Sequence, residues 1–242
     1  EIERLVDLIS IATPRQFPLI YPLVESQRSP EVIRQLHQMA SQLPSENTGS
    51  VARLLIGQKR ANSAITLLQL GEPEKALSAF DMTDDLEAVT QFVFGCRPRK
   101  VAITNLIEAL QIARENRERH PKYSLYGLLL ALGEFSAAEI PGELQESLLT
   151  DVRNMYAQDE SSTVHGASGW LLTQWGQEEF VRKVNRTPIP YASGREWFTL
   201  GITLTPLASE SGLYKPPQDI QFFFTFIVFL CLLQENIRAK EK

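Results

Sequence analysis

A leucine-rich phrase that ends in glycine and occurs twice restricts the fold of this chain more than any other feature. Residues 67–72 read Leu-Leu-Gln-Leu-Gly-Glu, and residues 129–134, sixty-two positions later, read Leu-Leu-Ala-Leu-Gly-Glu. Glycine readily adopts the left-handed backbone conformation that ends many helices, so each phrase predicts the last turn of a helix. The interval accommodates two units of about thirty-one residues, a length typical of stacked helix pairs.

The region after the second phrase has the pattern of one such helix pair. Residues 144–156 predict an amphipathic helix, and residues 159–176 contain an acidic turn, small residues, leucines and a final glycine. Asp159 is placed to cap the second helix, and Trp170 and Trp175 are predicted to fill the core between the helices. We therefore predict a mainly α fold, a HEAT-like α-helical repeat array (α-solenoid) with a short β-rich C-terminal segment.

Prolines divide the beginning of the chain into shorter helical pieces. Three of them interrupt the helical pattern within residues 14–22. Ser29, Pro30 and Glu31 then predict a helix start, because serine caps, proline suits the first turn and glutamate favours the positive end of the helix dipole.

The character of the sequence changes after the helical region. Residues 197–204 are rich in aromatic and β-branched residues, which favours one or two strands. The predicted organisation is N-terminal helical repeats in residues 1–60, HEAT-like repeats in 61–180, a β-rich start of a following domain in 181–233 and a polar tail in 234–242.

The most apolar segment of the chain, residues 220–233, has two interpretations. A membrane-spanning helix needs about 17–25 apolar residues, and this run has about fourteen at most. Its aromatic and β-branched first half favours a buried strand. Arg238, Lys240 and Lys242 resemble the basic flank of a short membrane anchor, which remains the alternative.

Charge and cysteine content restrict the partners and the compartment. The formal net charge is −5 and the pI is near 5.4, which opposes nucleic acid as a partner because phosphate binding needs a basic face. The two cysteines, Cys96 and Cys231, belong to no CxxC motif and fit a reducing cytoplasm. The chain begins with Glu1 and shows no secretory leader, so we expect a cytoplasmic piece of a longer protein.

No residue pattern predicts a catalytic, cofactor-binding or metal site. None of the three histidines, His37, His120 and His165, has a second ligand three or four positions later, and no phosphate-binding loop or GxSxG motif occurs. The paired acids at residues 84–85 and 159–160 stand where helix starts favour negative charge. We therefore predict no enzyme activity, no cofactor and no metal in this chain.

Three segments carry a family resemblance. Residues 61–71, 128–135 and 164–176 resemble the helical connector that precedes a formylglycine-generating-enzyme-like (sulfatase-modifying-factor) domain in large bacterial proteins, some of which also contain a serine/threonine kinase domain. Residues 195–198 and 225–229 resemble the lead-in and first strand of that domain. In the family this strand leads into a proline-glycine turn and a long domain, whereas here a leucine-rich run follows and the chain stops. None of the family's catalytic or metal-binding positions lies in this sequence.

These observations predict a non-catalytic helical-repeat scaffold or connector that mediates protein–protein or interdomain contacts in a larger multidomain protein. Two alternatives remain open. The chain is a fragment of a formylglycine-generating-enzyme-like or kinase-linked enzyme that lacks its catalytic domain, or it is an adaptor tethered to a membrane by residues 220–233.

Overall fold

The chain folds mainly into α-helices, as predicted. The computed structural model describes residues 2–81, 86–121, 123–190 and 193–199. The helices in chain order are α1 (Ile2–Ile11), α2 (Phe17–Ser26), α3 (Pro30–Ala40), α4 (Ser50–Gln69), α5 (Pro73–Ala76), α6 (Glu87–Cys96), α7 (Ile103–Glu115), α8 (Ser124–Gly133), α9 (Gly142–Gln158), α10 (Ser162–Gln174) and α11 (Glu178–Arg186). Within these described ranges, no helix is both long and apolar enough to cross a membrane.

Helix α4 organises the N-terminal half. It packs against α1, α3 and α6, and all of residues 60–68 are buried, including polar ones. Helix α4 also runs across the predicted boundary between residues 60 and 61. The first residues of α4, 50–56, are exposed or half-buried, whereas residues 60–68 are all buried, so the helix as a whole lacks the amphipathic pattern that would reveal its full length.

Buried polar side chains around α4 satisfy the end of α1. The Asn62 side-chain amide donates to the carbonyls of Ser10 (2.9 Å) and Ala12 (3.0 Å). The Arg99 guanidinium donates to the same Ala12 carbonyl (3.1 Å) and to Gly95 at the end of α6 (3.3 Å). The last carbonyls of a helix have no partner within that helix, so these bonds fix where α1 ends relative to α4 and α6.

In the C-terminal half, helices pack against helices one or two positions away along the chain. Helix α8 packs against α6 and α7, α10 packs against α8 and α9, and α11 packs against α10. Trp175 is buried between helices, as predicted, and its indole N–H donates to the carbonyl of Phe135 at 3.1 Å. Trp170 is half-buried and packs against the same core.

The two leucine-rich phrases end differently. Gly71 has φ +75° and follows α4 in the left-handed conformation, and Gly176 does the same after α10 with φ +73°. Gly133 is instead the last residue of α8, and an added Cβ there would lie 2.0 Å from a Trp170 ring carbon. This second glycine is therefore required by the close approach of α8 and α10, not by a turn.

The prediction that prolines interrupt the chain between residues 14 and 22 is confirmed for Pro14, which lies between α1 and α2, and is wrong for the other two. Pro18 and Pro22 both lie within α2, Pro18 in its first turn and Pro22 in its interior. Phe17 and Val24, two turns apart on one face of α2, are 1% and 0% exposed. Burial of this face holds the helix together despite the hydrogen bond that Pro22 cannot donate. The Ser29 cap of α3 is confirmed, since its side chain accepts from the Val32 amide at 3.3 Å.

The first part of the predicted β-rich segment is helical. Residues 181–186 belong to α11, and the one β-type pairing in the described ranges is an isolated antiparallel bridge between Ile189 and Thr199. The remainder of the predicted β-rich segment, the apolar run 220–233 and the tail 234–242 lie outside the described residues.

Two glycines of α10 provide a matched test of helix packing. An added Cβ at Gly169 would lie 2.6 Å from a ring carbon of Tyr156, whereas one at Gly166 would meet nothing within 4 Å. We expect Gly166→Ala to stabilise the protein, because alanine favours helix, and Gly169→Ala to destabilise it by overpacking. The free energies of unfolding, measured by urea titration, are expected to differ by about 2 kcal/mol or more. Equal effects of the two substitutions would contradict the close packing of α9 and α10.

Candidate functional site

The turn between α9 and α10 is fixed by an ion pair with a distant arginine. Asp159 accepts two hydrogen bonds from the Arg117 guanidinium, at 2.6 and 2.8 Å, and one from the Ser161 amide at 2.9 Å. These bonds raise the pKa of Arg117 above its usual range. The prediction that Asp159 caps α10 is wrong, because its carboxylate is turned towards Arg117 and the turn.

Two stacked rings form the wall of this turn. The His165 imidazole lies 4.5 Å from the Tyr156 ring at an interplanar angle of 11°, and His165 Nδ1 lies 2.7 Å from the Tyr156 carbonyl oxygen. The Tyr156 hydroxyl donates to Asn185 in α11 at 2.6 Å. Burial raises the pKa of Tyr156 to about 12. We call this surface, made by Tyr156, the turn residues 159–162 and His165, the α9–α10 corner.

The Trp197 ring stacks on the face of the His165 ring that is turned away from Tyr156. The two ring centroids are 3.7 Å apart at an interplanar angle of 18°, so three rings stack in the order Tyr156, His165, Trp197. The Trp197 indole N–H donates to the Asp159 carbonyl at 2.6 Å, and the residue is 8% exposed. The Arg195 guanidinium lies 5.1 Å from the Trp197 ring centroid, within cation–π range.

Glu196 supplies the cap that α10 does not receive from Ser161, the residue at its N-cap position. One Glu196 carboxylate oxygen accepts from the Ser162 amide and the Ser162 hydroxyl, each at 3.0 Å. The Glu196 amide donates back to the Glu160 carbonyl at 2.8 Å. A carboxylate at a helix N-terminus satisfies an unpaired amide and interacts favourably with the helix dipole.

A short antiparallel bridge returns the chain from α11 to the corner. Ile189 and Thr199 exchange two backbone hydrogen bonds of 3.1 Å, and the Thr199 hydroxyl donates to the Thr187 carbonyl at 2.6 Å. Phe198, between Trp197 and the bridge, is 55% exposed. We call residues 195–197 the docked segment.

The three histidines and the one cysteine among the described residues do not come together in one site. His37 is exposed, His120 is half-buried, and only His165 takes part in the corner. Cys96 is buried, which raises the pKa of its thiol and opposes nucleophilic use. Cys231 and residues 84–85 lie outside the described residues. In the ranges the structure describes, His, Cys, Asp and Glu form no group of three or more that could hold a metal ion.

A concave surface with a volume of about 690 Å³ lies between α1 and α3. Two of its charged residues are already paired, Arg34 with Glu31 at 2.7 Å and Asp7 with Lys59 at 3.7 Å. Its polar lining therefore carries less specific chemistry than the α9–α10 corner, where charge, hydrogen bonds and ring stacking converge.

The corner is expected to weaken in acid. Burial lowers the pKa of His165, and nearby Arg195 lowers it too, while the Tyr156 carbonyl and Asp159 oppose the shift. The unfolded chain, with a histidine pKa of about 6.5, therefore binds more protons than the folded chain at this residue. The contribution of neutral His165 to the free energy of unfolding is therefore complete when the pH is above the histidine pKa of the unfolded chain. It is lost as the pH falls below that pKa.

This expectation is tested by the dependence of melting temperature on pH. Between pH 7.5 and 5, the wild type is expected to lose more stability than His165→Asn, in which the amide can still donate to the Tyr156 carbonyl. Parallel pH profiles for the two proteins would show that His165 does not titrate in this way.

Comparison of the chain with models of protein families, with curated proteins and with solved structures gives no match. The resemblance to the connector before a formylglycine-generating-enzyme-like domain stays a prediction.

Proposed function

We propose that this chain is a non-catalytic helical-repeat connector that fixes the direction of the polypeptide leaving its last helices and presents its helical faces to protein partners. The observation that carries this proposal is the docked segment. A flexible linker would leave the next segment free to reorient, whereas residues 195–197 are held by ring stacking, a helix cap and backbone hydrogen bonds.

The HEAT-like arrangement is part of the proposal. Its support is the packing of α8 against α6 and α7, of α10 against α8 and α9, and of α11 against α10, as expected where successive helix pairs stack on one another. Such arrays bury one continuous core and leave long helical faces for partners.

The family resemblance is consistent with the same role. Residues 195–198, which resemble the lead-in of a formylglycine-generating-enzyme-like domain, include the docked segment itself. We propose that the array sets the orientation of such a following domain. Activity would then belong to that domain and not to the residues of the connector.

The test is a distance measurement between spin labels. One label is placed at Glu146→Cys on α9 and the other at Phe198→Cys, both at exposed positions, with Cys231→Ser to remove a competing thiol. We expect one narrow distance distribution in this protein and a broad one when Trp197→Ala is added. Equally broad distributions in both would overturn the connector proposal.

A further inference from the structure

We propose that the α9–α10 corner also recognises a Glu-Trp motif carried by a separate protein, which competes with the chain's own Glu196 and Trp197. This inference rests on the proposed function and names the kind of partner that the scaffold takes. The corner is treated as a peptide-recognition site that is occupied by an internal copy of its ligand.

The docked segment has the properties of a linear motif. Its side-chain contacts with the corner come from two consecutive residues, Glu196 and Trp197, and Arg195 lies over the Trp197 ring. Recognition of this kind requires only a short peptide and no folded partner surface. A separate chain that presents the same side chains can therefore make the same contacts.

The corner is held together by parts of the chain other than the docked segment. Arg117 fixes the Asp159 carboxylate, the Tyr156 ring is stacked on His165, and the Tyr156 hydroxyl is bonded to Asn185. These contacts do not involve the docked segment. Preorganisation of this kind lowers the cost of binding a ligand from outside.

The groups of the corner select the side chains that they bind. The Ser162 amide and hydroxyl are two donors at a helix N-terminus and suit a carboxylate. The Asp159 carbonyl accepts a hydrogen bond at the edge of a flat imidazole, and tryptophan alone among the aromatic residues combines a large ring with a donor at that position. The corner therefore favours glutamate followed by tryptophan.

The internal segment sets the affinity that a partner must exceed. A short tether gives an effective concentration on the order of millimolar, so the internal copy occupies the corner unless the partner is abundant or makes additional contacts. Exposed Phe198 lies beside the corner and is available for such contacts. Partner binding would release residues 195–197 and thereby free the chain that follows.

The experiment uses the full chain and a fluorescent peptide with the sequence of residues 194–198. The receptor is the double variant Glu196→Ala, Trp197→Ala, in which the corner is vacated. We expect this variant to bind the peptide about tenfold or more tightly than the wild type, whose internal segment competes. Peptides with alanine at the tryptophan position or glutamine at the glutamate position are expected to lose most of the binding.

Two results would overturn the proposal: absence of binding by a double variant whose circular dichroism is that of a folded helical protein, or equal binding by wild type and variant. If the double variant does not fold, millimolar peptide is added to the wild type, and hydrogen exchange of residues 193–199 must accelerate. Failure of peptide binding together with a narrow label distance would reject the partner and leave the connector in place.

Discussion

Replacement of Arg60 by methionine is expected to lower the free energy of unfolding by about 3 to 5 kcal/mol. Arg60 is 2% exposed in the middle of α4. Its guanidinium donates to the carbonyl of Ala40, the last residue of α3, at 3.0 Å. It also donates to the carbonyls of Ser78 and Asp81, in and directly after the short 3-10 turn that follows α5. Methionine fills much of the volume but leaves these buried carbonyls without a donor.

Two controls separate hydrogen bonding from charge and packing. Arg60→Lys retains the charge but not the planar fork, so we expect an intermediate loss of stability. Arg34→Met removes an exposed arginine paired with Glu31 within α3, and we expect little change. Stability is measured by urea denaturation followed by circular dichroism. A loss no larger for Arg60→Met than for Arg34→Met would show that Arg60 does not join α3, α4 and the turn.

Trp197→Ala is expected to release the docked segment and leave the helices folded. The substitution removes the stack on His165 and the bond to the Asp159 carbonyl, which together represent about 3 kcal/mol of local stability. Proteolysis through local opening follows the population of the open state. We therefore expect trypsin to cleave after Arg195 at least tenfold faster than in the wild type.

Phe198→Ala is the matched control for this prediction. Phe198 is the neighbouring aromatic residue, but it is 55% exposed and its truncation should leave the cleavage rate nearly unchanged. The melting temperature of the helices should change little in either variant. Equal acceleration of cleavage by both substitutions would mean that general packing protects the segment, and not the stacking of Trp197 on His165.

Local sequence patterns predicted several helix boundaries, because the signals for a boundary lie within a few residues of one another. Ser29 caps α3 from three positions before Val32, and Gly71 ends α4 directly after its last turn. Buried polar residues of α4 were not predicted. Arg60 and Asn62 resemble solvent-facing positions until the carbonyls of α1 and α3 are placed around them.

The candidate site could not be predicted for a related reason. Asp159 precedes α10 and has the chemistry of a cap, but Arg117, forty-two positions earlier, engages its carboxylate. Glu196, thirty-four positions after Ser162, then provides the cap. No local pattern decides between two carboxylates when the choice depends on partners so far apart along the chain. Tyr156 belongs to the amphipathic pattern of residues 144–156, but no local pattern links it to His165 and Trp197, since only the fold brings their rings together.

The central claim is that Trp197 stacks on His165 and thereby fixes the direction of the chain that leaves the helices. Nuclear magnetic resonance of the His165 ring protons tests it most directly. A ring enclosed between Tyr156 and Trp197 at centroid distances of 4.5 and 3.7 Å should show strong upfield shifts and cross-relaxation with the Trp197 indole. Trp197→Ala should remove that cross-relaxation and reduce the upfield shift. His165 signals that show no contact with Trp197 in the wild type would contradict the account.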